Sequence, residues 1–277
     1  MNAKDNGAQD PLRGSRFVYL SSNLMIGSTG VGKSQLSIDL AKALNGEVIN
    51  GDSMQVYRGA DIITNKVTKE EIGDIKHHLL GFLDPRQPYD VSAFTRDATE
   101  KVLPKRNILT QIDEIHNEGK WPILVGGTHY YLQSLLFKNT TVPLDGELVP
   151  DDSILSTPTE DLFFALQEVD PDSASRLHPS DRRKIQKRLE LYLRTGKPAS
   201  EIYKEQAKPE IRWETLVFWI WSDRAVLNER LDRRVDKMIE AGVEEECRQL
   251  HEIAKETDLS PSQGIFQAIG TCSLLRS

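Results

Sequence analysis

The chain of 277 residues has only two cysteines, Cys247 and Cys272. They are too few and too isolated for a disulfide framework or a zinc site, and they suit a reducing compartment. Nowhere does an apolar run approach the ~18 residues needed to cross a bilayer. The N-terminal 22 residues also lack the apolar centre of a secretory signal. Arg13 and Arg16 stand among serines, but Asp5 and Asp10 argue against an organelle transit peptide. Residues 1–16 are therefore expected to be a disordered leader, and the chain is expected to stay inside the cell. Internal repeats and low-complexity tracts are absent as well. What remains is an ordinary globular chain whose 38% hydrophobic content suffices for one good core and a small second domain.

Charge is scarce in one sense only. The net charge is −7, which would argue against nucleic acid if it were evenly spread. Between Arg176 and Arg212, however, eleven Lys or Arg face five acids. That stretch, which includes Arg182, Arg183 and Lys184, reads either as a solvated helix face laced with ion pairs or as a footprint for a phosphate backbone.

The most informative short segment is GSTGVGKS, residues 27–34. Gly27, Gly30 and Gly32 let the backbone turn its amides inward around an anion, with Ser28, Thr29 and Val31 between them. Lys33 adds positive charge, Ser34 offers a hydroxyl to Mg2+, and a helix starting there supplies the positive end of its dipole. The context fits: a strand over residues 16–26 leads into the loop, and apolar residues at helical spacing follow from Ser34 to Leu44. Gly46 is expected to end that helix, with GEVIN as the next strand. WPILV (121–125) and LVFWIW (216–221) read as further strands, the latter apolar enough to be covered on both faces. Alternating strands and helices predict an α/β fold, a P-loop NTPase-like parallel sheet flanked by helices, with its ligand beyond the carboxyl ends of the strands. Residues 139–160, rich in Pro, Asp, Ser and Thr, break the rhythm. The reading is a core of 17–138 and 213–277 interrupted by a mainly helical insertion, 139–212.

A nucleoside triphosphatase would also carry an apolar strand ending in an acid. WPILV ends instead in Gly126-Gly127-Thr128, Asp223 after LVFWIW sits where a helix cap belongs, and no Asn-Lys-x-Asp guanine reader is present. The loop is thus a diphosphate cradle without the remaining NTPase equipment. Asp52, at the tip of GEVIN in NGDSMQVY, reads three ways: a solvated turn acid, a Mg2+ ligand or a general base. Its neighbours Ser53, Gln55 and Tyr57 make a dense polar and aromatic cluster, which favours a site. A glutamine there can pair bidentately with the N6/N7 edge of adenine.

GSTGVGKSQLSIDLA, NGDSMQVYRGADIITNK, HHLLGFLDP, VGGTHYYLQSLLF, HPSDRRKIQKRLELYLRTGKPAS and RLDRRVDKMIEAG, in this order, closely resemble the tRNA dimethylallyltransferases of the eukaryotic type, from about residue 17 to 270. The resemblance implies transfer of a dimethylallyl group from dimethylallyl diphosphate to N6 of adenosine 37 in the anticodon stem-loop of tRNA. By similarity, Asp52 is the general base, Thr128 contacts the oxygen bridging to the allylic carbon, and Arg234 reaches the diphosphate. Without the resemblance, Arg234 would read as a surface ion pair with Asp236 or Glu240. Gly27 through Ser34 would hold the diphosphate with Mg2+ on Ser34, and Ser53 and Gln55 would hold the adenine. Arg182, Arg183 and Lys184 would belong to the grip on tRNA. A monomer, cytoplasmic with mitochondrial or nuclear pools and without membrane attachment, is expected.

Two stretches depart from the family pattern. Members continue past the GIFQAIG stretch with an aromatic residue, Lys-Glu and more helix, whereas TCSLLRS follows here, so the chain reads as C-terminally shortened. VLPKRNILT lies where the family has one continuous helix, which Pro104 should interrupt. Alternative readings are an isopentenyltransferase acting on free adenine nucleotides and a non-catalytic tRNA-binding paralogue.

Overall fold

The computed structural model describes residues 22–87, 89, 108–138, 157–205, 208–257 and 264–268. The expected leader, the start of the first strand, Pro104, residues 139–156 of the boundary stretch 139–160 and the tail after residue 268 lie outside the described residues. The chain divides into two compact units, residues 1–136 with 211–277, and residues 137–210. The expected insertion was placed at 139–212.

The first unit is built on a five-stranded sheet of β1 (Ser22–Gly27), β2 (Gly46–Asn50), β3 (His77–His78), β4 (Trp121–Val125) and β7 (Thr215–Ile220), in the order β3-β2-β4-β1-β7. Every pairing is parallel, with Leu24 opposite Leu124 on one side and Val217 on the other. Parallel strands need crossovers, to which the helices α1 (Lys33–Leu44), α2 (Lys69–Ile72), α3 (Ile108–Asn117) and α4 (His129–Leu136) contribute, while α9 (Arg224–Glu240) and α10 (Val243–Lys255) follow β7. Strand alternation sends Met25, Val48, Ile123 and Val125 to one face, where they pack with Ala41 of α1. Leu24, Ile49 and Leu124 of the opposite face are also buried. Each such side chain contributes roughly 1.5–3 kcal/mol.

Two local expectations need correction. Asn45, not Gly46, takes the left-handed conformation that ends α1, with φ 52°. Gly46 already belongs to β2, where a Cβ would stand 2.6 Å from the Trp121 carbonyl oxygen. The strand LVFWIW is not covered on both faces. Among the described strands β7 is one edge of the sheet, and Trp219 and Trp221 are 77% and 76% exposed. Its uniform apolar character therefore does not report two-sided burial.

The second unit is mainly helical: α5 (Thr159–Val169), α6 (Pro171–Ala174), α7 (Arg182–Thr195) and α8 (Ala199–Glu205). The short strands β5 (Phe137–Lys138) and β6 (Glu210–Ile211) pair where the chain enters and leaves it. Leu162, Leu166, Ala174, Ile185 and Leu189 form its core. Asp170 and Asp181 cap α6 and α7, each accepting a hydrogen bond from a backbone N–H three residues on.

Candidate active site

A cavity of about 270 Å³ opens at the carboxyl ends of the parallel strands in the first unit. Its floor is the loop between β1 and α1. Gly32 precedes α1 with φ 95°, a left-handed conformation that favours glycine, and no side chain caps the helix. The first N–H groups of α1 are thus not taken by a capping side chain. Thr29, Gly30, Gly32, Lys33 and Ser34 all line the cavity. Lys33 Nζ donates to the carbonyls of Gly27 (2.9 Å) and Ser28 (2.7 Å), which places the ammonium over the loop. Burial lowers the Lys33 pKa, the Asp52 charge raises it and Arg234 lowers it. Those three charges therefore share one electrostatic neighbourhood. Val31 is buried, and neither it nor Gly27 nor Ser28 lines the cavity.

The wall comes from the ends of β2 and β4. Gly51 N donates to the Val125 carbonyl at 2.7 Å, and a Cβ on Gly126 would stand 2.3 Å from the Gly51 carbonyl carbon. Only glycine permits that approach. Asn50, Asp52 and Gln55 line the cavity from the β2 side, and Val125, Gly126 and Gly127 from the β4 side. Asn50 sets the turn: its Oδ1 accepts from Asp52 N and its Nδ2 donates to the carbonyls of Asp52 and Leu79, all at 3.1 Å. Asp52 Oδ1 accepts from Met54 N at 3.0 Å. Ser53 and Thr128 do not line the cavity. They bind each other beside it, Ser53 donating from its backbone N–H to Thr128 Oγ1 at 3.1 Å, with the two hydroxyl oxygens also 3.1 Å apart.

Helix α9 closes the third side. Arg234 NH1 donates to Thr29 Oγ1 at 3.2 Å, and its Nε is buried without an acceptor among the described residues. The neighbouring Arg233, not Arg234, pairs with an acid on this helix, Glu229 at 3.2 Å. Arg230, one turn before Arg234, lines the same cavity. Sequence reasoning missed Arg230, although the four-residue spacing to Arg234 put both on one helix face. Asp223 caps α9, accepting from Ala225 N at 2.9 Å, as its position implied.

Gln55 differs from expectation. Its Nε2 donates to the carbonyls of Thr64 (3.1 Å) and Asn65 (3.3 Å). With its amide hydrogens used, it cannot pair bidentately with an adenine edge. Only its carbonyl oxygen remains to offer.

Three cations and one carboxylate lining a single cavity, with the Thr128 hydroxyl held beside it, are equipment for holding a polyanion and moving a proton. The model of the family described as IPP transferase matches residues 55–276. The chain belongs to the IPP transferase family. Among its relatives, the tRNA dimethylallyltransferase of Schizosaccharomyces pombe is 44% identical over 89% of this chain and 58% of its own length. That of Saccharomyces cerevisiae is 41% identical over 94% and 60%, and the human one 38% over 89% and 55%. The chain thus spans less than two thirds of the length of these relatives. A crystal structure of a eukaryotic dimethylallyltransferase acting on tRNA matches with a TM-score of 0.76 and 40% identity, over 92% of this chain and 62% of that one. The full-length tRNA isopentenylpyrophosphate transferase of Bacillus halodurans matches at 0.57 and 32%, over 92% and 76%.

The residues expected to touch tRNA lie in the second unit, on the first turn of α7. Arg182 NH1 donates to the Thr157 carbonyl (2.7 Å) and Thr159 Oγ1 (3.1 Å), and Lys184 pairs with Asp181 at 2.8 Å. Arg183 is exposed, as are Lys187 and Arg194 at one-turn and three-turn spacings on the same face. Arg183 is thus less committed to local partners than Arg182 or Lys184.

Proposed function

We propose that this chain transfers a dimethylallyl group from dimethylallyl diphosphate to N6 of adenosine 37 in tRNA, releasing diphosphate. The observation that carries the reading is the single cavity lined by Lys33, Arg230 and Arg234 together with Asp52 and Gln55.

The donor's diphosphate would lie on the loop, with the amides that open α1, Lys33 and the two arginines around it. The C1–O bond is allylic and loosens as charge spreads over the double bond, provided the departing oxygen is stabilised. Thr128 suits that task. Its Oγ1 already accepts from the Ser53 N–H; where the Ser53 hydroxyl also donates to it, the Thr128 proton is left to point outward at the bridging oxygen.

The acceptor amine is a weak nucleophile because its lone pair is delocalised into the adenine ring. As N6 attacks C1, the C1–O electron pair leaves with the diphosphate. The N6 proton passes to Asp52, which has one oxygen on the Met54 N–H and lines the same cavity. To reach C1 the base must leave its stack, as in base flipping. The exposed cations of α7 would hold the stem by its phosphates.

Mg2+ fits the same place. It takes few protein ligands when phosphate oxygens supply the rest. The Ser34 hydroxyl and the Asp52 carboxylate both line the cavity, and no cluster of three or more His, Cys, Asp or Glu exists among the described residues. Ser34 would hold the ion, which when bound neutralises charge on the diphosphate.

The test is incubation with labelled dimethylallyl diphosphate, Mg2+ and either unmodified tRNA or AMP. Label in tRNA alone is expected. Label in AMP alone would move the activity to free nucleotides, and tRNA retention without turnover would reject catalysis.

A further inference from the structure

The part of the cavity wall that would face the incoming base is held from the far end of the chain. Gln55 is oriented by two carbonyls, those of Thr64 and Asn65, and both residues line the cavity themselves. The segment carrying those carbonyls is closed locally by Thr64 Oγ1 donating to the Ala60 carbonyl (2.6 Å) and Asn65 N to that of Ile62 (2.9 Å), but Ala60 at its start has φ of 50°, a conformation that costs a residue with a Cβ. Two longer-range side chains restrain it further. From within, Lys66 Nζ, almost fully buried, donates to the carbonyls of Tyr57 (2.6 Å) and Gly59 (2.8 Å) and pairs with Asp61. From outside, Glu246 in the first turn of α10 accepts from two consecutive amides, Ile62 N on Oε1 at 3.0 Å and Ile63 N on Oε2 at 2.7 Å. Both oxygens of one carboxylate are committed to the backbone immediately before Thr64. The link spans 184 residues.

We propose that Glu246 is a positioning residue for acceptor recognition. By fixing the Ile62 and Ile63 amides it fixes the Thr64 and Asn65 carbonyls, and these turn Gln55 so that only an acceptor faces the cavity. A lone carbonyl oxygen there selects a base that presents an N–H, such as the exocyclic amine of adenine. A purine with an exocyclic carbonyl at that position would set oxygen against oxygen. The inference rests on the transfer reading above for its substrate, but the restraint of the loop is separable from it.

The experiment uses the full chain and its variants Glu246→Ala and Glu246→Gln, with two readouts. Hydrogen–deuterium exchange of residues 60–66 reports the loop itself. Initial rates with tRNA varied at saturating dimethylallyl diphosphate, and the converse, report which substrate is affected. Loss of two charge-assisted hydrogen bonds should speed exchange at Ile62 and Ile63 at least ~10-fold and raise the KM for tRNA ~10-fold. The KM for dimethylallyl diphosphate should stay within about twofold, because that substrate's groups lie on the loop and α9. Glu246→Gln, which keeps one acceptor, should fall between; it also carries the comparison if Glu246→Ala does not fold. Unchanged exchange, or equal rises in both KM values as a general loss of folded enzyme would give, overturns the proposal. If the parent chain transfers nothing, the transfer reading fails, and the positioning role is decided by exchange together with the affinity for an adenosine-containing anticodon stem-loop RNA. Faster exchange with weaker RNA binding then supports it, and either without the other overturns it.

Discussion

Glu47 and Asp52 lie five residues apart, at the start and just past the end of β2, and their surroundings are opposite. Glu47 is buried and saturated: Lys120 reaches Oε1 at 2.7 Å, and His78 and Lys76 reach Oε2 at 2.6 and 3.1 Å. Burial pushes its carboxyl up, but hydrogen bonds from Lys120, His78 and Lys76 outweigh that and pull it down to about 2. Among the described residues Asp52 has a single backbone N–H on one oxygen, and it lines a cavity with Lys33, Arg230 and Arg234. An acid whose acceptor sites are filled by donors of the fold itself can only hold a structure together. One with spare acceptor capacity, beside cations that form no ion pair among the described residues, is placed to exchange a proton while those cations hold something else.

The largest effect should come from the saturated acid. Glu47→Ala leaves His78 and Lys120 without their buried acceptor, while the exposed Lys76 turns to solvent, and should cost about 3 kcal/mol. Urea unfolding would show this, with the transfer rate per folded molecule unchanged. The pH dependence follows from the same group. Its folded pKa of about 2 lies below the ordinary 4.5, so its contribution is complete above pH 4.5 and is lost as pH falls toward 2. The urea midpoint of the parent chain should drop across that window, and that of Glu47→Gln should drop less. Equal drops would remove Glu47 from its structural role.

In the cavity, Lys33→Ala should lower transfer by about 100-fold while leaving the urea midpoint nearly unchanged, since the lost interaction strengthens as charge builds on the leaving group. Arg230→Ala should raise the KM for dimethylallyl diphosphate by roughly tenfold. No change would demote Arg230 to a lining residue. The smallest effect belongs to α7: Arg183→Glu should weaken tRNA binding severalfold and reduce the slope of log affinity against log salt by about 1. An unchanged slope would make that face a solvated surface.

The contrast between the two acids also shows what the sequence could and could not carry. Strand, glycine loop and helix were legible as one unit because its geometry is local: the loop, its lysine and the start of the helix are consecutive residues. WPILV and GEVIN were legible as strands for the same reason. LVFWIW was a strand but misread in burial, since apolar composition does not distinguish an edge strand from a central one. The roles of Glu47, Arg230 and Glu246 were not legible. Glu47 is defined by Lys120 and Glu246 by Ile62 and Ile63, partners 73 and up to 184 residues away that no periodicity reveals. Gln55 failed as a bidentate reader of adenine because the carbonyls nine and ten residues on had already taken its amide.

The most direct test of the account is a rapid-quench measurement of the transfer step, with donor and tRNA pre-bound, on Asp52→Asn and Glu47→Gln side by side. Asp52→Asn should slow the step by about 100-fold or more at unaltered donor affinity, while Glu47→Gln, once folded, should proceed at the parent rate. A parent-like rate for Asp52→Asn would contradict it.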